Sequence, residues 1–177
     1  DLYTIKSKNS FRIKNKYLSD FSRLMRLILD SSVQEFIPLK KELETLRFYL
    51  ELQKLRMDDN FTYTIDTTLI DDLDEVNIPP MLTQPFIENA IEHAIEEREN
   101  AKHIYVKVYQ KVKDEICFEI SDDGNGLTEE QIAALKERLA RKNRDEKEGV
   151  GLWNVNQRLV NYYGEQSSLQ FGGSIWK

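Results

Sequence analysis

The apolar residues change period at Phe61, and this change most limits what the chain can fold into. Upstream, Tyr17, Leu18, Phe21, Leu24, Met25 and Ile28 recur at three- and four-residue steps, as do Leu39, Leu43, Leu46 and Leu50. That is the spacing of one apolar helix face. From residue 61, Phe61, Tyr63 and Ile65 alternate with Thr62, Thr64 and Asp66, the pattern of a half-buried strand. Glycine follows the same division: the first sixty residues have none, and all seven fall at position 124 or later. Two parts are expected, a helical one over 1–56 and a mixed one over 57–177.

In the first part, one helix carries the stripe from Tyr17 and ends at 30–32. A second opens at Pro38, a residue favoured in a first turn. The first stripe must pack on something, either another chain in a dimer or the second helix. In the second part, Pro79-Pro80 stops the chain and 81–97 reads as a helix with an irregular start at Pro85. Residues 103–110 and 116–120 alternate as two antiparallel strands joined by a turn at 111–114. A charged segment over 128–148 follows, then a helix over 152–163 and a last strand at 169–171.

Twenty-five Lys and Arg against thirty-one Asp and Glu give a net charge of −6, which leaves no overall positive field for a nucleic acid. No apolar run is long enough to cross a membrane, so a soluble chain with no membrane contact of its own is expected. The single cysteine, Cys117, cannot form an internal disulfide and reads as core packing.

Three short motifs carry the chemistry. A strand runs directly into Asp122-Asp123-Gly124-Asn125-Gly126. Counting by twos puts Asp122 on the side of Phe118 and Ile120, where a carboxylate is costly unless something donates to it. Gly124 and Gly126 let the backbone turn tightly and approach a flat ligand; an ordinary Asp-Gly turn is the other reading. On the helix after Pro80, Leu82, Phe86, Asn89 and His93 fall along one stripe. Asn89 offers a hard neutral oxygen suited to Mg²⁺ shared with phosphates, or else a hydrogen-bonded rim residue. His93 has no second histidine or cysteine at metal-ligand spacing, so zinc is unsupported. Gly149-Val150-Gly151-Leu152 precedes a helix starting near Trp153 or Asn154, and backbone N–H groups at such a start suit a polyphosphate. Asn154 and Arg158 could add donors. No Walker loop and no dinucleotide fingerprint occur.

The order of these motifs is more specific than any one of them. Residues 78–93, Ile-Pro-Pro-Met-Leu-Thr-Gln-Pro-Phe-Ile-Glu-Asn-Ala-Ile-Glu-His, resemble the N box of LytS/YehU-type sensor histidine kinases. Residues 122–126 and 149–158 resemble that family's two glycine boxes, and 39–56 its connector. The resemblance implies an α+β fold, a Bergerat-type two-layer α/β sandwich of the GHKL class with an N-terminal helical dimerisation segment. It implies ATP and Mg²⁺ as cofactors, with Asp122 taking the adenine amino hydrogen and Asn89 holding Mg²⁺. Gly124, Gly126, His93, Asn154, Arg158 and Gly149, Val150, Gly151, Leu152 would complete the ATP site beneath a lid over 127–148. It further implies transfer of the γ-phosphoryl group to a histidine and then to a response-regulator aspartate, in a homodimer. Localisation would be cytoplasmic, with the full-length protein anchored in the membrane by an upstream segment.

The chain departs from this pattern in places. Glu92 stands where many relatives have a phosphate-reaching lysine. His93 and His103 are the only histidines, and neither lies in the His-Phe-x-x-Asn setting of the phosphoacceptor. The acceptor is therefore expected upstream of the chain, which alone would not autophosphorylate, and a further strand is expected beyond Gly173. Glu88, adjacent to Asn89, could orient the acceptor. Related ATPase clamps place a water-activating glutamate four residues before the box asparagine, where this chain has Pro85. A hydrolysing clamp and a degenerate pairing module are the alternative readings.

Overall fold

A computed structural model describes residues 2–95, 102–112, 115–124, 126–140, 150–164, 167 and 169–171. Its helices are α1 (Leu2–Ser32), α2 (Leu39–Arg56), α3 (Gln84–Asn89), α4 (Glu129–Ala140) and α5 (Val150–Tyr163). Its strands are β1 (Ile37–Pro38), β2 (Phe61–Leu69), β3 (Asn77–Ile78), β4 (Lys102–Val112) and β5 (Glu115–Asp122). A π-helical turn, Ala90–Ile95, continues α3.

Strands β2, β4 and β5 form one sheet in that order, with β2 parallel to β4 and β4 antiparallel to β5. The parallel pair requires a crossover, which α3 and the π-helical turn provide. Alternation sets one face inward: Phe61, Ile104, Val106 and Val108 are buried, and Ile116, Phe118 and Ile120 pack against them. Onto that face fold Leu39, Leu43, Leu46 and Leu50 of α2, Ile87 of α3, Ile91 of the π-helical turn and Val155 of α5. The result is the α+β arrangement of one helical layer on one sheet, and α2 shares its core with the sheet.

Pro38 precedes the first residue of α2, and the first N–H groups of that helix find partners outside it. Leu39 N donates to Val76 O at 2.7 Å, and Lys40 N to Leu73 O at 3.1 Å. Helix α4 opens on a reciprocal cap: Thr128 N donates to Gln131 Oε1 at 2.8 Å and Gln131 N to Thr128 Oγ1 at 3.2 Å. Helix α1 docks on α2 through Leu24, which is buried, and through Arg23 stacked over Phe48 at 4.3 Å.

Several sequence expectations are corrected. Helix α1 starts at Leu2 rather than Tyr17, because no Pro or Gly interrupts 2–16 and only its apolar stripe begins at Tyr17. The helix expected from 81 starts at Gln84, since Met81 adopts a left-handed φ of 60°. Leu82 therefore lies buried before the helix and not on its stripe. Residues 169–171 form no strand: the Leu169 N–H donates to Asn156 Oδ1 at 3.2 Å, a side-chain partner in place of a ladder. Cys117 is half-buried on the outer face of the sheet opposite Tyr109, not in the core. The 111–114 turn falls partly outside the described residues.

Candidate functional site

Strand β5 delivers two adjacent acids, and the structure separates their duties. Asp123 closes the strand end: His103 N donates to Asp123 Oδ1 at 2.9 Å, and Asp123 N to His103 O at 3.2 Å. Asp122, paired with Ile104 across the sheet, is half-buried on the inner side. Its Oδ1 accepts the Gly124 N–H at 2.8 Å, so the Asp-Gly turn exists, while Oδ2 takes no part in that turn. Gly124 is buried and Gly126 has a φ of 67°, a conformation that favours glycine. Asn125 lies outside the described residues.

Helix α3 presents Glu88 and Asn89 in its last turn. Glu88 is exposed and its Oε1 accepts from Gln84 Nε2 at 3.0 Å. Asn89 is half-buried. Beyond it the backbone switches to π-helical bonding, which alters the α-helical register on which the Asn89–His93 stripe rested. The His93 side chain lies outside the described residues. Glu92 is exposed.

Residues 150–152 of the second glycine motif are helical and do not precede the helix. Helix α5 begins at Val150, so Val150, Gly151 and Leu152 are its first turn, whose N–H groups have no partner within the helix. A Cβ on Gly151 would stand 2.9 Å from Pro85 Cβ. Glycine is therefore what lets α5 seat directly on the start of α3. Leu152 is buried, Asn154 is exposed, and Arg158 is half-buried one turn further on. Gly149 lies outside the described residues, as does the side chain of Val150. The lid expected over 127–148 contains α4, and 141–149 are not described.

The structure thus brings two motifs together at α3: Pro85 touches Gly151, and the π-helical turn packs against β5, whose last residue is Asp122. Among the described residues no cluster of His, Cys, Asp or Glu is arranged to hold a metal ion.

Residues 80–176 match the family model for histidine kinase-, DNA gyrase B- and HSP90-like ATPases. The chain belongs to that family. Residues 2–61 match a second model, described as histidine kinase. The chain is similar to the sensor protein LytS of Oceanobacillus iheyensis, with 33% identity over 86% of this chain and 26% of that protein. It is 30% identical to LytS of Bacillus subtilis over 92% of this chain and 26% of that protein. It is 32% identical to the sensor histidine kinase/phosphatase LytS of Staphylococcus aureus over 90% of this chain and 27% of that protein. The chain therefore spans about a quarter of the length of the curated relatives it matches. An ATPase domain of this family over residues 80–176 implies ATP binding.

Two buried polar residues that tie elements together escaped the sequence reading. Asn156 is buried in α5, donates to Leu139 O of α4 at 3.4 Å and accepts from Leu169 N at 3.2 Å. Glu42 is buried in α2 and accepts from Met81 and Thr83. The available signal was the same for both: a polar residue on an apolar stripe, with Asn156 among Leu152, Val155 and Leu159, and Glu42 among Leu39, Leu43 and Leu46.

Proposed function

We propose that this chain binds ATP·Mg²⁺ between α3, the end of β5 and the start of α5, and passes the γ-phosphoryl group to a histidine supplied from upstream sequence. The close seating of Gly151 on Pro85 carries the reading, because it sets N–H groups of α5 that have no partner within the helix against the helix that bears Asn89. Bound ATP supplies the phosphoryl group, and Mg²⁺ neutralises charge on its phosphates. The chain supplies position: Asp122 accepts from the adenine amino group, Gly124 and Gly126 admit the base, and Asn89 ligates the ion. The first turn of α5 with Asn154 and Arg158 holds the phosphates, with His93 as a further donor. Exposed Glu88 orients the incoming histidine. Pro85 stands where a hydrolysing clamp needs a carboxylate, which favours transfer to a side chain over transfer to water. The phosphoryl group then passes to a response-regulator aspartate.

The proposed division is a dimerisation and connector segment over 1–56 and an ATP-binding domain over 57–177, with α2 docked in the domain's core. Homodimerisation is supported by α1, on which Leu18, Phe21, Met25 and Leu29 form one stripe, each 39–61% exposed, while Leu24 faces α2. Phe21→Glu is expected to convert a dimer to a monomer by light scattering; a parent chain already monomeric at working concentration would refute the pairing. Among the described residues no helix is long and apolar enough to cross a membrane. We place this portion on the cytoplasmic side of a protein anchored upstream.

The test is incubation with γ-labelled ATP and Mg²⁺, with and without the upstream sequence. Acid-labile, base-stable label on the longer protein only, lost in Asn89→Ala, is expected. Steady release of free phosphate with no labelled protein would instead support the ATPase clamp.

A further inference from the structure

Glu42 is 3% exposed, and among the described residues no cation pairs with it. A buried carboxylate of this kind is tolerated only where donors surround it. Here Oε2 accepts the Met81 N–H at 2.9 Å, and Oε1 accepts both the Thr83 N–H at 3.1 Å and the Thr83 hydroxyl at 2.9 Å. All three donors lie 39 to 41 residues away in sequence, on the loop that leads into α3.

Pro79 and Leu82 bury their side chains, but the backbone of that loop has few N–H groups to anchor it. Pro79 and Pro80 carry no N–H, and Met81 sits at a φ of 60°, which a bulky side chain adopts only when its surroundings impose it. Thr83 is the residue from which α3 departs: its carbonyl accepts from Phe86 N at 3.2 Å and Ile87 N at 3.3 Å. Its hydroxyl, which would ordinarily cap such a helix, is spent on Glu42 instead. Helix α3 is only six residues long, so a shift at Thr83 reaches Asn89 and the Pro85–Gly151 contact within two turns.

We propose that Glu42 is a positioning residue whose carboxylate, carried on α2, fixes the Met81–Thr83 loop and thereby aims α3 at the nucleotide. The α1–α2 hairpin and the nucleotide-binding helix then move as one piece, so a displacement of the hairpin is transmitted to the ATP site through this carboxylate. A carboxylate is required because it has two acceptor oxygens facing two sets of donors, whereas an amide has one. The inference rests on α3 being the nucleotide-binding helix.

The experiment compares the parent chain with Glu42→Gln, Thr83→Val and Thr83→Ser, by ATP·Mg²⁺ calorimetry and by deuterium exchange. Glu42→Gln keeps side-chain volume and one acceptor, so one donor set loses its partner. Its ATP affinity is expected to fall about tenfold, with faster exchange confined to 81–89 and unchanged exchange in β4 and β5. Thr83→Val should behave in the same way and Thr83→Ser like the parent. Parental affinity and parental exchange in Glu42→Gln would overturn the proposal. So would exchange that rises uniformly while affinity holds, which is what a merely structural role produces. A parent chain that binds no ATP would refute the nucleotide reading instead. Exchange alone would then judge Glu42, local loosening at 81–89 sustaining its hold on the loop and uniform loosening overturning it.

Discussion

Replacing Gly151 with alanine sets two effects of opposite sign against each other. Within a helix, Gly→Ala ordinarily stabilises by up to about 1 kcal/mol, because alanine loses less backbone freedom on folding. Here the new Cβ would lie 2.9 Å from Pro85 Cβ and 3.4 Å from Pro85 Cγ, whereas carbon atoms rest at about 3.5–4.0 Å. Pro85 is a ring residue at the start of α3 and cannot swing aside, so the first turn of α5 must retreat. Overpacking of this kind costs about 1–3 kcal/mol. The net expectation is a loss of about 0–2 kcal/mol in equilibrium urea unfolding. ATP affinity should fall by more than that loss suggests, because the retreating turn carries the phosphate-facing N–H groups. A variant about 1 kcal/mol more stable than the parent, with unchanged ATP affinity, would mean that α5 does not seat on Pro85 and would refute the reasoning.

Two further outcomes concern polar groups whose surroundings are partly or fully withdrawn from water. Asn156→Ala removes the partner of Leu139 O and Leu169 N and is expected to cost about 1–3 kcal/mol in urea unfolding; a loss below about 0.5 kcal/mol would show that the amide carries nothing. The Tyr63 phenol is pushed up to about 12, first by burial and then by its hydrogen bond to Glu51 at 2.7 Å. The fold favours the protonated phenol, so this contribution is intact below the ordinary value near 10 and is lost as pH rises from there toward 12. Between pH 9 and 11, parent stability should fall more steeply than that of Tyr63→Phe, and parallel slopes would refute the assignment.

Local pattern made much of the architecture legible. The β4–β5 hairpin follows from Ile104, Val106 and Val108 against Ile116, Phe118 and Ile120, and the opening of α2 from Pro38. Asp122 was legible from counting by twos along β5. What escaped depends on residues far apart in sequence. The parallel pairing of β2 with β4 joins Phe61 to Lys102, and no periodicity encodes it. Glu42 looks like one more charge on a lysine- and glutamate-rich helix until the loop 39 residues away folds over it. Gly151 read as part of a phosphate-facing segment before a helix, whereas it is a helical residue whose missing side chain is required by Pro85. The switch to π-helical bonding after Asn89 follows from no residue of the motif and altered the expected His93 stripe.

The central claim is that α3, the end of β5 and the start of α5 together form an ATP site. Its most direct test is a calorimetric titration of the chain with ATP and Mg²⁺, run beside Asn89→Ala and Asp122→Ala. Binding by the parent that is lost in both variants, each still folded by circular dichroism, is the predicted result. Binding that survives undiminished in both variants, or no binding by a folded parent chain, would contradict it.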